Sequence, residues 1–283
     1  MPEKLVFISD FFANQVNGGG ELNDWELIGV LSSLGNSVVR YQSEHVNSAT
    51  VRENIKTGNK FIISNFKNMR KKVIDLISEE AEYVIIEHDH KYLDSRNPGI
   101  YPNYKVPSEK IINRDFYKKA KAVFCQSSFH KEIIQNNLDI DNIISLSGNL
   151  WSVGILSLLG EMSKVEKEDC CAIVDSVHEH KNVGDAISYC KHKNLKYELI
   201  GFSRPDDFLK KMGKFNALVF FPKSPETLSR VVVEARMMGM KTMTTKNVGA
   251  IHEEWFSKKG PDLIDEMRNK RIEIPKRILE SLK

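Results

Sequence analysis

The chain has 283 residues, of which 41% are hydrophobic and 28% charged, and a net charge of +3. Such a length fits two α/β domains of about 120–160 residues each. The balance excludes a disordered or fibrous chain, and so mild a charge is no argument for nucleic-acid binding. No apolar run reaches the ~18 residues of a membrane span and no basic-then-apolar leader precedes the first strand. A cytoplasmic protein without stable membrane insertion is therefore expected. Cys125, Cys170, Cys171 and Cys190 lack metal-ligand spacing, and Cys125, Cys170 and Cys171, in predicted strands, are expected to be small, buried, reduced thiols.

Lys4–Ser9 reads as a buried first strand. Gly18-Gly19-Gly20-Glu21 follows, then a helical pattern of Leu22, Trp25, Leu27, Ile28, Leu31 and Leu34 closed by Gly35, and a second strand at 37–41. Residues 4–41 thus form a βαβ unit with a glycine-rich first crossover, where backbone can approach a ligand closely. The dinucleotide fingerprint G-x-G-x-x-G fails at its third position, which is Asn23, so a nicotinamide enzyme is discounted.

Strands are predicted at 60–65, 82–87, 122–126 and 142–146, with helices at 68–80, 108–119 and 127–137. That alternation predicts a doubly wound parallel sheet with ligands at the carboxyl ends of its strands. One such end carries Glu87-His88-Asp89-His90. Titratable groups directly after a buried strand are candidates for a substrate or acceptor site, with loop packing as one alternative and a metal on His88 and His90, which lacks an evident third ligand, as the lesser one. Gln126-Ser127-Ser128 ends the next strand and reads first as a helix N-cap. Between them, residues 92–107 hold three prolines and three tyrosines, Tyr92 included, which suit either an acceptor-stacking loop or surface packing. The lysines and arginines Lys67, Arg70, Lys71, Lys72, Lys118, Lys119 and Lys121 read as a solvated face or a nucleic-acid or lipid-headgroup stripe.

The charged stretch 163–169 suggests a domain boundary, giving an N-terminal acceptor domain of residues 1–160 and a C-terminal donor domain of 161–283. In the second half, strands are predicted at 170–174, 196–200, 217–221 and 241–244, and helices at 183–192, 205–212 and 227–239. Two further helices are expected near 261–268 and 273–282. Asp139-Ile-Asp141 precedes a strand instead of following one, so it is a poor match for a metal-binding Asp-x-Asp.

The most informative stretch is Leu218–Glu234. A short apolar strand is stopped by Pro222, and Ser224-Pro225-Glu226-Thr227 opens a helix containing Val231, Val232, Val233 and Ala235. Glu234 among those apolar residues needs a partner, either a core cation or a ligand. If the helix ran from Glu226 to Glu234, the two acids would stand roughly 10–12 Å apart, about the span from a sugar to a ribose across a diphosphate.

Glu226, seven residues and Glu234, followed by Ala235, Gly239 and 242–245, resemble the E-x7-E signature of retaining GT-B glycosyltransferases, closest to glycosyltransferase family 4. The resemblance implies two facing Rossmann-like domains and a nucleotide-sugar in the cleft. In it Glu226 meets the donor sugar, the backbone of Thr227, Leu228 and Ser229 the diphosphate, and Glu234 the ribose. Gly-Phe-Gly usually follows the first Glu; here it is Thr227-Leu228-Ser229. Gly18-Gly19-Gly20-Glu21 is similar to the family's Gly-Gly-x-Glu, which places Gly19 and Gly20 at the donor. The strand end His88-Asp89-His90 is similar to the family's histidine-containing strand end that faces the donor sugar, which of the three faces inward being open in the sequence; His88 is assigned to the donor, and Asp89, His90 and, from the loop reading, Tyr92 to the acceptor. Lys181 matches the family's diphosphate lysine. The arginine that usually accompanies it is absent, Ser176 standing near its place, and His178, His180, Arg204 and Arg230 are candidates to replace its charge.

The expected activity is metal-independent, retaining glycosyl transfer, with Glu226, Lys181 and His88 as catalytic residues and no cofactor besides the donor substrate. The acceptor could be a glycan, a lipid or a modified DNA base. The alternative is an inactive nucleotide-sugar or nucleic-acid binding module on the same scaffold.

Overall fold

A computed structural model describes residues 3–201 and 203–283. The chain forms two compact units, one of Met1–Leu150 with Lys270–Lys283 and one of Trp151–Asn269.

The first unit runs β1 (Lys4–Ser9), α1 (Gly19–Ser33), β2 (Ser37–Gln42), α2 (Ser48–Lys56), β3 (Lys60–Ile63), α3 (Lys71–Glu80), β4 (Tyr83–Glu87), α4 (Arg114–Lys119), β5 (Val123–Cys125), α5 (Ser128–Leu138) and β6 (Ile143–Ser145). Its six strands pair in parallel in the order β2-β1-β3-β4-β5-β6. Alternate residues feed opposite faces, as a two-residue period dictates. Val6, Ile8, Phe61, Ile63, Tyr83 and Ile85 enter one core cluster, and Leu5, Phe7, Ile62, Val84, Ile86 and Phe124 another. With both faces covered, the strands read as unbroken apolar runs, which made them legible.

The second unit runs α6 (Val153–Met162), β7 (Glu168–Val174), α7 (Val183–His192), β8 (Tyr197–Ile200), α8 (Pro205–Met212), β9 (Phe215–Phe220), α9 (Arg230–Met237), β10 (Lys241–Thr244) and the first part, to Asn269, of α10 (Pro261–Ser281). Four parallel strands lie in the order β10-β9-β7-β8. Ala172, Leu218 and Phe220 face one cluster, and Cys171, Ile173, Ala217 and Val219 the other. All four cysteines are free. Both units are therefore Rossmann-like, as the alternation of elements predicted.

Two expectations differ from what is found. The division placed at residue 160 falls inside α6, whose Leu156, Leu159 and Met162 pack into the second unit's core. The charged stretch at 163–169 is thus a surface turn leading into β7. The two helices expected at the end are one, α10, with Pro275 inside it. Its last residues belong to the first unit, where Ile274, Ile278 and the following Leu282 are buried with Leu5 and Phe7. Helix α2, capped by Asn47 accepting from the N–H groups of Ala49 and Thr50, was not anticipated.

Candidate functional site

In the second unit, β7 is flanked by β8 on one side and β9 on the other, so the chain reverses its winding between β7 and β9. The carboxyl edge of the sheet at such a reversal is the place where open α/β sheets take ligands. Lys181 and Glu226 come from the loops after β7 and β9. Lys181 Nζ lies 2.7 Å from Glu226 Oε1, with both side chains partly buried, and the same ammonium sits 5.6 Å from the centre of the Phe220 ring.

Each partner is fixed by its backbone. The Lys181 turn is tied to the loop after β9 by Lys223 N–H donating to the His180 carbonyl (2.8 Å) and by Asn182 Nδ2 donating to the Phe221 carbonyl (2.9 Å). Glu226 forms a parallel bridge with Val248, its N–H donating to Asn247 O at 2.7 Å and its carbonyl accepting from Gly249 N at 2.8 Å. Glu226 is thus held in an extended segment and is not part of α9. The helical spacing expected between Glu226 and Glu234 does not apply.

The chain enters α9 through Ser229, which has φ +73° and ψ +86°. This left-handed conformation is costly for a residue with a Cβ. Ser229 makes no side-chain cap bond, and its Oγ is buried without a hydrogen-bond partner. Thr227 is half-buried, whereas the Leu228 side chain is wholly inside the core, so only its backbone could meet a ligand. Glu234 is buried and accepts from Trp151 Nε1 at 2.8 Å. Arg230 Nε stands 3.6 Å from the same oxygen, Oε1, and its guanidinium lies over the Trp151 ring at 4.4 Å. The buried acid therefore has its partners within its own unit, and both contacts fall on Oε1. Arg204 is exposed at the start of α8, after edge strand β8.

In the first unit, the corresponding reversal lies between β1 and β3. Asp24, fully buried on α1, gathers the side chains around it. His88 Nε2 lies 2.6 Å from Asp24 Oδ1, and Ser64 Oγ donates to Asp24 Oδ2 at 2.5 Å. His88 Nδ1 is 2.6 Å from Gln126 Nε2. Burial works against the charged imidazole, but Asp24 outweighs it and raises the His88 pKa. The glycine turn packs on this ring, since a Cβ on Gly20 would stand 3.1 Å from His88 Cγ. Gly19 is exposed beside it. Gly18 leaves room for the Glu21 carboxylate, whose Oε1 accepts from Asn65 Nδ2 at 3.2 Å.

His90 and Tyr92, expected at the acceptor, are instead 2% and 0% exposed. The Tyr92 hydroxyl lies 3.2 Å from His90 Nδ1 and accepts from Asn137 Nδ2 at 3.4 Å. Neither residue can stack on a ligand without unpacking that core. Asp89 is half-buried between Lys91 (3.0 Å) and Arg96 (3.1 Å). Burial opposes its charge, and Lys91 more than offsets this, holding the carboxyl below the usual range. Lys91, 3% exposed, also donates to the fully buried Glu87, which Tyr117 bonds from the other side.

Three members of the basic stripe pair with acids and a fourth bonds a carbonyl. Lys67 pairs with Asp94, Lys71 with Asp75 and Lys121 with Glu82, while Arg70 donates to the Val46 carbonyl. Ser127 accepts from His130 N–H at 3.1 Å, the cap its sequence suggested. Among the described residues no group of three His, Cys, Asp or Glu side chains could hold a metal, and no helix is long and apolar enough to cross a membrane.

Asp24, Lys91 and Trp151 were missed from sequence. Asp24 left a signal, for it stands three, four and seven residues before Leu27, Ile28 and Leu31, an acid on the apolar stripe of its own helix. Trp151 left none, being 83 residues from its partner.

No family model matches the chain, and no curated protein matches it in sequence. Solved structures do. Anabaena HepE in complex with UDP and glucose is similar at 14% identity and a TM-score of 0.55 over 96% of this chain and 90% of that one. The same protein in complex with UDP-glucose gives 14% and 0.53 over 99% and 92%. WaaG, a glycosyltransferase involved in lipopolysaccharide biosynthesis, gives 12% and 0.52 over 98% and 94%. Likeness at these identities establishes architecture, and the chain has the two Rossmann-like units of the GT-B glycosyltransferase fold.

Proposed function

We propose that this protein is a glycosyltransferase that uses a nucleoside-diphosphate sugar of the uridine class, retains anomeric configuration and requires no metal. The observation that carries the reading is the Lys181–Glu226 pair, held on adjacent strand-end loops at the winding reversal of the second unit. The shared architecture with HepE, whose complexes contain UDP or UDP-glucose, supports the choice of donor.

In this reading the first N–H groups of α9 and the Lys181 ammonium receive the diphosphate, a role suited to a helix N-terminus and its positive dipole end. Glu226 accepts from the sugar hydroxyls, and Glu234, through the carboxylate oxygen not bonded to Trp151, accepts from the ribose. The anomeric C–O bond to the diphosphate breaks as the acceptor hydroxyl attacks from the same face, and that hydroxyl's proton passes to the departing phosphate oxygen. Lys181 and the helix amides offset the charge that grows on the leaving group, which in other folds is the task of a cation. His88, bonded through both ring nitrogens, supports the glycine turn in this scheme and is not a proton carrier.

The test is calorimetric titration with UDP-glucose, followed by assay of UDP release with metal chelated. Binding in the micromolar to millimolar range and donor turnover, with turnover lost by at least about 100-fold in Glu226→Ala, is expected. Absence of UDP-glucose binding overturns the reading. Binding with no turnover against any acceptor would instead identify a nucleotide-sugar binding module.

A further inference from the structure

The Lys181–Glu226 pair offers a diphosphate no net charge, because the carboxylate cancels the ammonium at 2.7 Å. Further positive charge has to come from neighbouring groups. On the turn leading to Lys181, the rings of His178 and His180 stack at 5.4 Å with an interplanar angle of 24°. Both residues are exposed. The turn is closed by Lys181 N–H donating to the His178 carbonyl at 3.0 Å and is bound to the loop after β9 through the His180 carbonyl. The two imidazoles therefore stand at the carboxyl edge of β7, on the loop that also presents Lys181.

We propose that His178 and His180 form a proton-dependent clamp for the donor diphosphate, so that donor binding takes up a proton from solution. This rests on the donor reading above. Without an anion, partial burial of the His180 ring and the nearby Lys181 lower the His180 pKa, with Glu226 opposing and the stacked ring of His178 adding to the effect. The other ionisable groups near the pair are Asp175 and Glu179 on the same loop and Lys223 on the loop after β9, whose backbone N–H bonds His180. A diphosphate brought against the rings reverses the balance, because an adjacent anion stabilises imidazolium. Neutral imidazole becomes imidazolium, and the proton comes from the buffer.

The experiment is titration of the full chain with UDP-glucose in buffers of different ionisation enthalpy near neutral pH. UDP-glucose is chosen because its diphosphate is esterified at both ends and does not itself titrate near neutrality. The wild type is expected to take up roughly half a proton per donor or more, and its affinity to fall about tenfold between about pH 6 and about pH 8. The double variant His178→Gln/His180→Gln should take up no proton and bind about tenfold more weakly near pH 6, with little change near pH 8. Donor binding without proton uptake, or uptake that persists in the double variant, overturns the clamp while leaving the donor reading intact. No binding by the wild type removes both.

Discussion

His88 Nε2 and Asp24 Oδ1 meet at 2.6 Å, joining the end of β4 to the buried face of α1. Because Asp24 raises the His88 pKa in the folded chain, the pair contributes stability that is fully present below the unfolded histidine value of about 6.5. That contribution is lost as pH rises through the higher folded value. Asp24→Asn should therefore cost about 3 kcal/mol near pH 6 and less near pH 9. Denaturant unfolding at both pH values measures it, and a cost independent of pH would show that His88 is neutral when folded. His90 and His130 do not confound the comparison. Burial lowers both, so they weaken the protein only as pH falls below about 6.5, and they do so equally in wild type and variant.

Lys91 anchors the start of the long loop after β4 through Glu87 and Asp89. Burial opposes its charge, but the two carboxylates prevail and hold it above the ordinary lysine range. Lys91→Met fits a similar volume but leaves Glu87 facing Tyr117 without a counter-charge. It should cost about 3–5 kcal/mol, and Lys91→Met with Glu87→Gln should recover part of that loss. A double variant less stable than Lys91→Met alone would show that the ion pair is not the main contribution at this site.

Glu234 holds Trp151 and Arg230 together, so its structural and ligand roles can be separated. Glu234→Ala strands a buried indole N–H and is expected to cost about 2–3 kcal/mol, whereas Glu234→Gln keeps an acceptor there and should cost about 1 kcal/mol. If the acid also takes the ribose, Glu234→Gln should weaken UDP by about tenfold yet leave 2′-deoxy-UDP nearly unchanged. Equal weakening of both nucleotides by calorimetry would confine Glu234 to its structural role.

The parallel sheets were legible because burial on both faces writes itself as short runs such as Val84–Ile86 and Leu218–Phe220, separated by helical periods. Lys181 and Glu226 were legible as strand-end residues, but their contact joins positions 45 residues apart and needs the order of β7 and β9. His90 and Tyr92 misled because a strand end looks the same in sequence whether its polar groups turn outward or into a core of histidine, tyrosine and asparagine. The helix expected from residue 227 begins only at Arg230 for a local reason, the left-handed backbone of Ser229.

Ser229 carries a double penalty of its own. Its φ of +73° belongs to a region where a residue with a Cβ is disfavoured by about 1–2 kcal/mol, and its hydroxyl is buried with no partner. Glycine at this position relieves both penalties, at the cost of greater backbone freedom in the unfolded chain, which offsets some of the gain. Ser229→Gly should thus stabilise the protein by about 1 kcal/mol. Ser229→Ala removes only the hydroxyl and keeps the strained backbone, so it should fall between wild type and glycine in denaturant midpoint. An order in which alanine is the most stable of the three would mean that the buried hydroxyl, and not the backbone, dominates the cost of this turn.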